Sequence, residues 1–250
     1  MKEEKLYIGN IPAIVLGNKS NNVCLYIHGQ GGNKDEAKPL SEVVNAFSCQ
    51  MISIDLPGHG DRLTEMDHFD PWHIIPELSA VLKYIDSRWR TVTLFANSIG
   101  AWFSMLAFES KTFESALFVS PVLDMPNLIS KMMMWASVSE EQLHRELVIP
   151  TSFGQTLSWE YLIYARENPI TRWNTATQIL YGENDNLTGF DIVNSFSEKH
   201  HCDVTVVKKG EHWFHTQEQM DILYGWTEKC FQDRSHHIKN HSTKVVSIER

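Results

Sequence analysis

The amino-acid sequence predicts an α/β fold, in which a mostly parallel, doubly wound sheet carries helices on both of its faces. Short apolar runs that end in glycine or a polar turn are typical of strands buried on both sides. Longer segments that open with helix N-cap residues separate these runs. The 250 residues are 42% hydrophobic and 21% charged, which is the balance of a globular chain with one large core.

The predicted strands are short runs dominated by apolar residues. The first two flank Gly9 and Asn10, a pair that is typical of a tight hairpin turn. Most of the later runs are apolar on both faces, which indicates burial in a parallel sheet. In chain order, the predicted strands occupy residues 6–8, 11–16, 23–29, 49–56, 91–98, 115–121, 176–185 and 202–210.

Helix starts are marked by short polar residues whose side chains can accept a hydrogen bond from a backbone N–H in the first turn. Asn33 with Glu36 predicts a helix that runs to about Phe47. Asp70 followed by Pro71 predicts a capped helix over 71–88. Further helices are expected directly after residue 98, near 190–200 and over 217–231, the last of them opening at Thr216 with Gln219.

The alternation of strands and helices stops after the sixth predicted strand. Residues 122–173 contain only helical material, and Ser139 and Ser158 open two of its segments. We therefore expect a helical cap over 122–173, inserted into a core formed by 1–121 and 174–232. Additional helices packed on one edge of the sheet are the alternative. Residues 233–250 are polar and aperiodic and are expected to form a C-terminal tail.

Composition and charge disfavour several classes of protein. The net charge of −9 disfavours nucleic acid or an anionic membrane as a partner. No apolar run approaches the roughly 20 residues of a membrane-spanning helix. The N-terminal residues lack the apolar centre of a signal peptide, so we expect a cytoplasmic protein without membrane insertion.

Cysteine and histidine spacing gives no sign of a metal site. Cys24, Cys49, Cys202 and Cys230 show no metal-like spacing and are expected to be buried thiols outside any disulfide. The tail histidines have neither helical spacing nor nearby carboxylates, which favours a solvated loop over a metal site: His236, His237 and His241.

Polar residues follow the predicted strands at the edge of the sheet where reactive groups gather in open parallel sheets. The third strand ends in HGQGG, the fifth in ANSIG, and the late strands lead into GENDN and GEHWFH. Ser98 lies where a strand turns abruptly into a helix. This turn would lift its hydroxyl above the sheet and direct the helix N-terminus at an anion forming there. Capping of the helix is the alternative role for this serine.

These motifs, in the order serine, acid, histidine, resemble the α/β-hydrolase family of esterase-like and lipase-like serine hydrolases, and the resemblance covers nearly the whole chain. The family's nucleophile elbow is G-x-S-x-G. Here residues 96–100 read ANSIG, with Ala96 in the first small position and Gly100 in the second. The resemblance implies an α/β-hydrolase fold with the helical cap after the sixth strand.

The resemblance also implies a catalytic triad of Ser98 as nucleophile, Asp185 as acid and His212 as general base. Glu183 and Asp124 are competing candidates for the acid, since the second of them follows the sixth strand. His215 competes with His212 for the role of base. It directly precedes the expected start of the last helix, however, and this position favours His212.

The HGQGG segment is similar to the family's oxyanion-hole loop. By this resemblance, the backbone N–H groups of Gln30 and Ile99 would bind the developing oxyanion. His28 is expected to be structural. The residues expected to support the floor of the site come from the segment DLPGHGDR: Asp55, His59 and Arg62.

The expected function is hydrolysis of a carboxylic ester, or of a thioester or amide, of a small to medium acyl substrate through an acyl-enzyme. This chemistry requires no cofactor and no metal. Trp102, Met133 and Trp135 are expected to line the substrate pocket, with ordinary core packing as the alternative. The alternative function is a catalytically silent binding module that keeps the same fold to hold a small ligand.

Overall fold

The computed structural model describes residues 2–233 and 245–248. These residues form a mixed sheet of nine strands: β1 (Glu3–Ile8), β2 (Ile11–Leu16), β3 (Asn22–Ile27), β4 (Cys49–Ile54), β5 (Thr91–Asn97), β6 (Ser115–Val119), β9 (Thr177–Gly182), β10 (Asp203–Val207) and β11 (Val245–Ile248). Their order in the sheet is β1-β2-β4-β3-β5-β6-β9-β10-β11. Strand β2 runs antiparallel to both of its neighbours, and all other neighbouring pairs are parallel. The expected mostly parallel sheet is therefore confirmed.

Helices cover both faces of this sheet, as the apolar runs predict. Along β3, Val23, Leu25 and Ile27 belong to one core cluster, while Cys24 and Tyr26 belong to the other, because successive side chains point to opposite faces. The first cluster includes residues of α2 (Pro71–Asp86), α3 (Ile99–Ala107) and α7 (Phe190–His200), and the second includes residues of α1 (Ala37–Asn45) and α8 (Gln217–Asp233).

The helix starts lie where the polar signals predict them. Asp70 Oδ1 accepts the backbone N–H of His73 at 2.8 Å at the start of α2. Thr216 Oγ1 accepts the N–H of Gln219 at 3.2 Å at the start of α8. Asn33 caps a short 3-10 helix, Lys34–Glu36, which leads directly into α1. A second 3-10 segment covers Gly60–His68.

The segment between β6 and β9 contains α4 (Met125–Ala136), α5 (Glu140–Glu146) and α6 (Trp159–Glu167), as the helical patterns predict. It also contains a hairpin of β7 (Val148–Pro150) and β8 (Thr156–Ser158), so the expectation of purely helical material is wrong. The two strands have three residues each, which is too short for a periodic pattern to reveal them. The division of the chain into core and cap stays a prediction.

The C-terminal part of the chain contributes one strand that the sequence did not indicate. β11 pairs in parallel with β10 at the edge of the sheet. Part of the segment that was expected to form a tail therefore belongs to the sheet. The residues of β11 are mostly exposed, and the strand forms by edge pairing without the burial that a hydrophobic pattern would record. The three tail histidines lie outside the described residues.

All four cysteines are buried and none forms a disulfide, which agrees with the expectation of buried thiols. Two of them lie in strands, Cys24 in β3 and Cys49 in β4. Cys202 lies immediately before β10 and Cys230 lies in α8. Their burial makes packing the role that the structure supports for them.

Candidate active site

Ser98 occupies the sharp turn between β5 and α3. Its backbone has φ 52° and ψ −122°, a conformation that non-glycine residues rarely adopt. Two backbone hydrogen bonds fix this turn: the Ser98 N–H donates to Val119 O at 3.0 Å, and the Val122 N–H donates to Ser98 O at 3.1 Å. The structure therefore has the strained strand-to-helix elbow that the sequence predicts.

Gly100 allows α3 to begin directly against the end of β3. A Cβ atom at this position would lie 2.5 Å from the carbonyl oxygen of His28 and 2.8 Å from that of Ile27. Any larger residue would push the helix away from the sheet. Ala96, which stands in the other small position of the elbow, is fully buried in β5.

The side chains of Ser98, His212 and Asp185 form a continuous hydrogen-bonded row. Ser98 Oγ lies 2.8 Å from His212 Nε2, and His212 Nδ1 lies 2.7 Å from Asp185 Oδ2. The Asp185 side chain is fully buried, and its Oδ1 accepts the backbone N–H groups of Leu187 at 2.8 Å and Thr188 at 3.0 Å. With both carboxylate oxygens engaged, Asp185 fixes the orientation of the imidazole.

The loops after β9 and β10 bring the acid and the histidine to the serine. Glu183, one competing acid, instead contacts the ammonium group of Lys208 at 3.0 Å. Asp124, the other, accepts the backbone N–H of Asn127 at 2.9 Å and caps α4. The competing histidine, His215, stacks on the exposed ring of Trp213 with 4.6 Å between ring centroids. Of the competing residues, only Asp185 and His212 join the row that ends at Ser98.

The glycine-rich loop after β3 passes directly beside the elbow. A Cβ atom on Gly29 would lie 3.1 Å from the Cβ of Ser98, which is closer than most such contacts, so glycine lets the backbone pass here without displacing the serine. The N–H of Gly31 donates to His59 Nε2 at 2.9 Å, while His59 Nδ1 lies 2.8 Å from Pro57 O. Ile99 is the first residue of α3, where backbone N–H groups have no carbonyl partner within the helix. The oxyanion role of Gln30 and Ile99 stays a prediction.

His28 links the loop after β3 to the loop after β4. Its Nδ1 contacts Gly29 O at 2.7 Å, and its Nε2 accepts the N–H of Leu56 at 3.0 Å. Burial lowers the pKa of His28 to about 4, which keeps the ring neutral at physiological pH. These contacts agree with the structural role expected for this histidine.

Two ion-pair networks hold the segment after β4, and the support of the floor of the site by this segment stays a prediction. Asp55 is fully buried and accepts the ammonium group of Lys34 at 2.6 Å. The guanidinium of Arg62 binds the carboxylate of Glu77 through two nitrogens, at 2.6 and 2.7 Å, and that of Glu65 at 2.6 Å. Such bidentate charged contacts fix loop geometry more strongly than neutral hydrogen bonds do.

The three expected pocket residues lie in different environments. Trp102 is buried and stacks on Tyr161 of α6, with ring centroids 5.8 Å apart. It lines a cavity of about 630 Å³ between α4, α6 and α7. Met133 is buried, whereas Trp135 is 44% exposed and meets the edge of Phe153 at 6.1 Å; neither lines that cavity. The assignment of these three residues to a substrate pocket stays a prediction.

One contact at the site has no counterpart in the sequence analysis. The side-chain amide of Gln30 donates to Gln155 Oε1 at 2.7 Å, across 125 positions of the chain. Gln155 lies between β7 and β8, in the hairpin that the sequence did not predict. No local pattern pairs two glutamines so far apart, so the sequence carries no signal for this contact.

Residues 2–233 and 245–248 contain neither a cluster of metal-binding side chains nor a membrane-spanning helix. Within these ranges, no three histidine, cysteine, aspartate or glutamate side chains are grouped so that they could hold a metal ion. No helix in the same ranges combines the length and the apolar character needed to cross a bilayer.

A serine at a strained elbow, hydrogen-bonded to a histidine that an aspartate orients, is typical of serine hydrolases on the α/β-hydrolase fold. Residues 24–223 match the sequence model of the Alpha/beta hydrolase family. The chain therefore belongs to this family. No curated protein matches its sequence.

Solved structures with the same fold are similar along nearly the whole chain. Est1E from Butyrivibrio proteoclasticus, with ferulic acid bound, superposes with a TM-score of 0.74 at 15% identity, covering 93% of this chain and 99% of that one. Mouse alpha/beta hydrolase domain-containing protein 10 gives 0.74 at 12% identity, with coverage of 93% and 99%. A Paleococcus ferrophilus monoacylglycerol lipase gives 0.67 at 15% identity, with coverage of 90% and 99%. At these identities the similarity shows a shared fold.

Proposed function

We propose that the protein is a serine hydrolase that cleaves a carboxylic ester of a small to medium acyl substrate through an acyl-enzyme, with thioesters and amides as chemically related substrates. The observation that carries this proposal is the row of two hydrogen bonds, 2.8 Å from Ser98 Oγ to His212 Nε2 and 2.7 Å from His212 Nδ1 to Asp185 Oδ2. A strained serine that only capped its helix would need neither contact.

Acylation begins when Ser98 Oγ attacks the carbonyl carbon of the ester. His212 Nε2 accepts the hydroxyl proton, and the carbonyl electron pair moves onto oxygen. Asp185 stabilises the imidazolium through its contact with Nδ1. When the tetrahedral intermediate collapses, the bond to the leaving alcohol breaks and His212 returns the proton to that oxygen, leaving the acyl group on Ser98.

The negative oxygen of the intermediate is bound by the backbone N–H groups of Gln30 and Ile99. Ile99 contributes the first N–H of α3, and the positive end of that helix adds to the stabilisation. The close approach of Gly29 to Ser98 supports this assignment, since it holds the loop next to the reacting atoms. Donors of this kind are each worth about 3 kcal/mol in a transition state.

Deacylation repeats the sequence with water as the nucleophile. His212 Nε2 takes a proton from water, the hydroxide oxygen bonds to the acyl carbon, and collapse returns the proton to Ser98 Oγ as the carboxylic acid leaves. Because proton transfer and charge stabilisation both come from this chain's own residues, no cofactor enters any step.

The ester class is supported by the structural neighbours. Est1E was solved with ferulic acid bound, and another neighbour is a monoacylglycerol lipase. Esters of ferulic acid and p-nitrophenyl esters of graded chain length therefore form a suitable substrate panel. A chain-length optimum on this panel would define the acyl pocket.

The experiment compares the wild type with Ser98→Ala, using an alkyl fluorophosphonate probe and p-nitrophenyl acetate. We expect one covalent adduct per wild-type molecule and none on Ser98→Ala, with kcat about a millionfold lower in the variant. Ser104→Ala is the matched control, because Ser104 lies on the same helix and its buried hydroxyl has no hydrogen-bond partner among the described residues.

A wild-type protein that forms no adduct and turns over no ester would contradict the proposal and favour a silent binding module. An adduct that persists on folded Ser98→Ala would show that another residue is the nucleophile. Circular dichroism of both variants establishes that the fold is retained in each comparison.

A further inference from the structure

The hairpin formed by β7 and β8 reaches the loop that carries Gln30. Gln155 Oε1 accepts a hydrogen bond from Gln30 Nε2 at 2.7 Å. This contact joins the segment between β6 and β9 to the residue whose backbone N–H is the proposed oxyanion donor. It therefore connects this segment to a single residue of the loop after β3.

The main chain of Gln155 is fixed by its own hairpin. Both the N–H and the hydroxyl of Thr151 donate to Gln155 O, at 2.8 and 2.7 Å. Gly154 donates to Thr151 O at 3.3 Å, which closes the turn. Phe153, at the tip, meets the edge of Trp135 on α4. The backbone from which the Gln155 side chain extends is therefore held in place by hydrogen bonds within the hairpin.

The loop on the opposite side is rich in glycine and has few fixed torsions. Gly31 has φ 77°, and Gly29, Gly31 and Gly32 surround Gln30. The core fixes the backbone on both sides of Gln30: Gly29 O contacts His28 Nδ1 at 2.7 Å and accepts the Gly32 N–H at 3.2 Å, and the Gly31 N–H donates to His59. The bond to Gln155 restrains Gln30 itself. The contacts from the core hold the carbonyl of the peptide group between Gly29 and Gln30, and the bond to Gln155 adds a restraint from the side chain of Gln30.

We propose that Gln155 is a positioning residue for the oxyanion hole, which aims the Gln30 N–H at the oxygen of the tetrahedral intermediate. The inference rests on the proposed serine hydrolase function. Gln155 acts through Gln30 and does not touch the reacting atoms. Its effect belongs to the transition state, where the oxyanion develops, and leaves substrate binding in the ground state unchanged.

The test uses Gln155→Met, which keeps the length of the side chain and removes its acceptor oxygen. We expect kcat for p-nitrophenyl acetate to fall about fivefold to tenfold with KM unchanged, since one neutral hydrogen bond accounts for a factor of this order. The inhibition constant of an alkyl trifluoromethyl ketone should rise by the same factor, because its adduct with Ser98 carries the same oxyanion.

Gln30→Met breaks the same contact from the other side and keeps the Gln30 backbone N–H. We expect it to lower kcat by a similar factor, and the double variant Gln30→Met/Gln155→Met to lose no more than either single variant. Gln142→Met is the matched control: this glutamine lies on α5 and binds Ser139 through its backbone, which the substitution retains. It should keep wild-type kcat and KM.

Three results would overturn the inference in an active wild-type enzyme. One is an unchanged kcat in Gln155→Met. Another is a rise in KM alone, or a loss confined to long-chain esters, which would make the hairpin a lid. The third is full additivity of the two single variants. Absence of fluorophosphonate labelling in the wild type is a different result, because it contradicts the proposed function itself.

Discussion

Ser98 concentrates backbone strain at the point where the reaction is proposed to begin. A positive φ costs a non-glycine residue about 1–3 kcal/mol, and it persists only where the surrounding structure imposes it. Here the surrounding structure is the pair of backbone hydrogen bonds to Val119 and Val122, together with the close packing of Gly100 on the end of β3. The backbone conformation that these contacts impose directs the hydroxyl at His212.

Substitution of the two candidate histidines separates their roles. We expect His212→Ala to lose several orders of magnitude in kcat, since it removes the proposed base, whereas His215→Ala should lose less than about tenfold. The measurement is kcat with saturating p-nitrophenyl acetate, with circular dichroism to compare the folds. The reverse ranking would assign the base to His215, whose ring instead stacks on Trp213.

Because His28 is buried and neutral, we expect the free energy of unfolding to decrease at acidic pH. Its pKa is lowered from 6.5 to about 4 by burial, and its protonation would cost the hydrogen bond from Leu56. Below pH 6.5 the unfolded chain takes up a proton at this site that the folded chain refuses until about pH 4, so stability falls as the pH falls through this window. The loss is on the order of 3 kcal/mol.

Urea unfolding of the wild type and of His28→Gln between pH 4 and pH 8 measures this contribution. The variant should be less stable at pH 8 but should lose less stability than the wild type between pH 6.5 and pH 4. Identical slopes in the two proteins would show that His28 does not contribute to the acid sensitivity.

At the scale of elements, short polar residues account for the helix boundaries. Asp70, Ser139, Ser158 and Thr216 each accept a backbone N–H at the start of a helix, and each was predicted from the chain alone. The information is local, since the capping group lies within one turn of the donor. The sequence does not predict the β7–β8 hairpin, because each strand has only three residues and shows no alternating pattern of apolar and polar residues.

The segment between β6 and β9 offers a test of substrate selection. We expect Trp135→Ala to change the preference among p-nitrophenyl esters of graded chain length and to leave acetate hydrolysis unchanged. Because Trp135 is 44% exposed, the midpoint of urea unfolding should change little.

Met133→Ala should instead lower the free energy of unfolding by about 2–5 kcal/mol, since Met133 is buried.

Equal losses on all esters in Trp135→Ala would contradict a role in the pocket and support a structural one. A stable Met133→Ala would show that the core beneath α4 collapses to fill the cavity. Both measurements use the same preparations, so activity and stability are compared directly.

At the scale of the whole molecule, the parallel sheet unites residues that are far apart in sequence. Ser98 and His212 are separated by 114 positions, and His212 and Asp185 by 27. They meet because β5, β9 and β10 all end at the same edge of the sheet. The two core clusters on either face fix the strands, and thereby the three side chains.

We expect the edge strand β11 to contribute to solubility without contributing to catalysis. Deletion of residues 234–250 removes β11 and exposes the edge of β10, an unpaired strand edge that favours association. We expect the truncated protein to aggregate more readily on heating, as measured by light scattering. Its kcat for p-nitrophenyl acetate should stay within about twofold of the wild type, because the proposed catalytic residues precede the deletion.

A truncated protein that scatters no more light than the wild type would show that β11 does not protect this edge. A large loss of kcat in a folded truncation would link the edge strand to the loop that carries His212.

The sequence by itself determined the α/β class, the positions along the chain of the strands that carry the site, the helix caps and the serine elbow. Each of these depends on a signal that spans only a few residues: an alternating or continuous apolar run, a capping group, or the small residues around Ser98. Only the tertiary structure decided that Asp185 and not Glu183 or Asp124 contacts His212, that β11 completes the sheet, and that Gln155 contacts Gln30. These depend on loop paths and edge pairing between distant segments, where many partners are chemically equivalent and packing selects one.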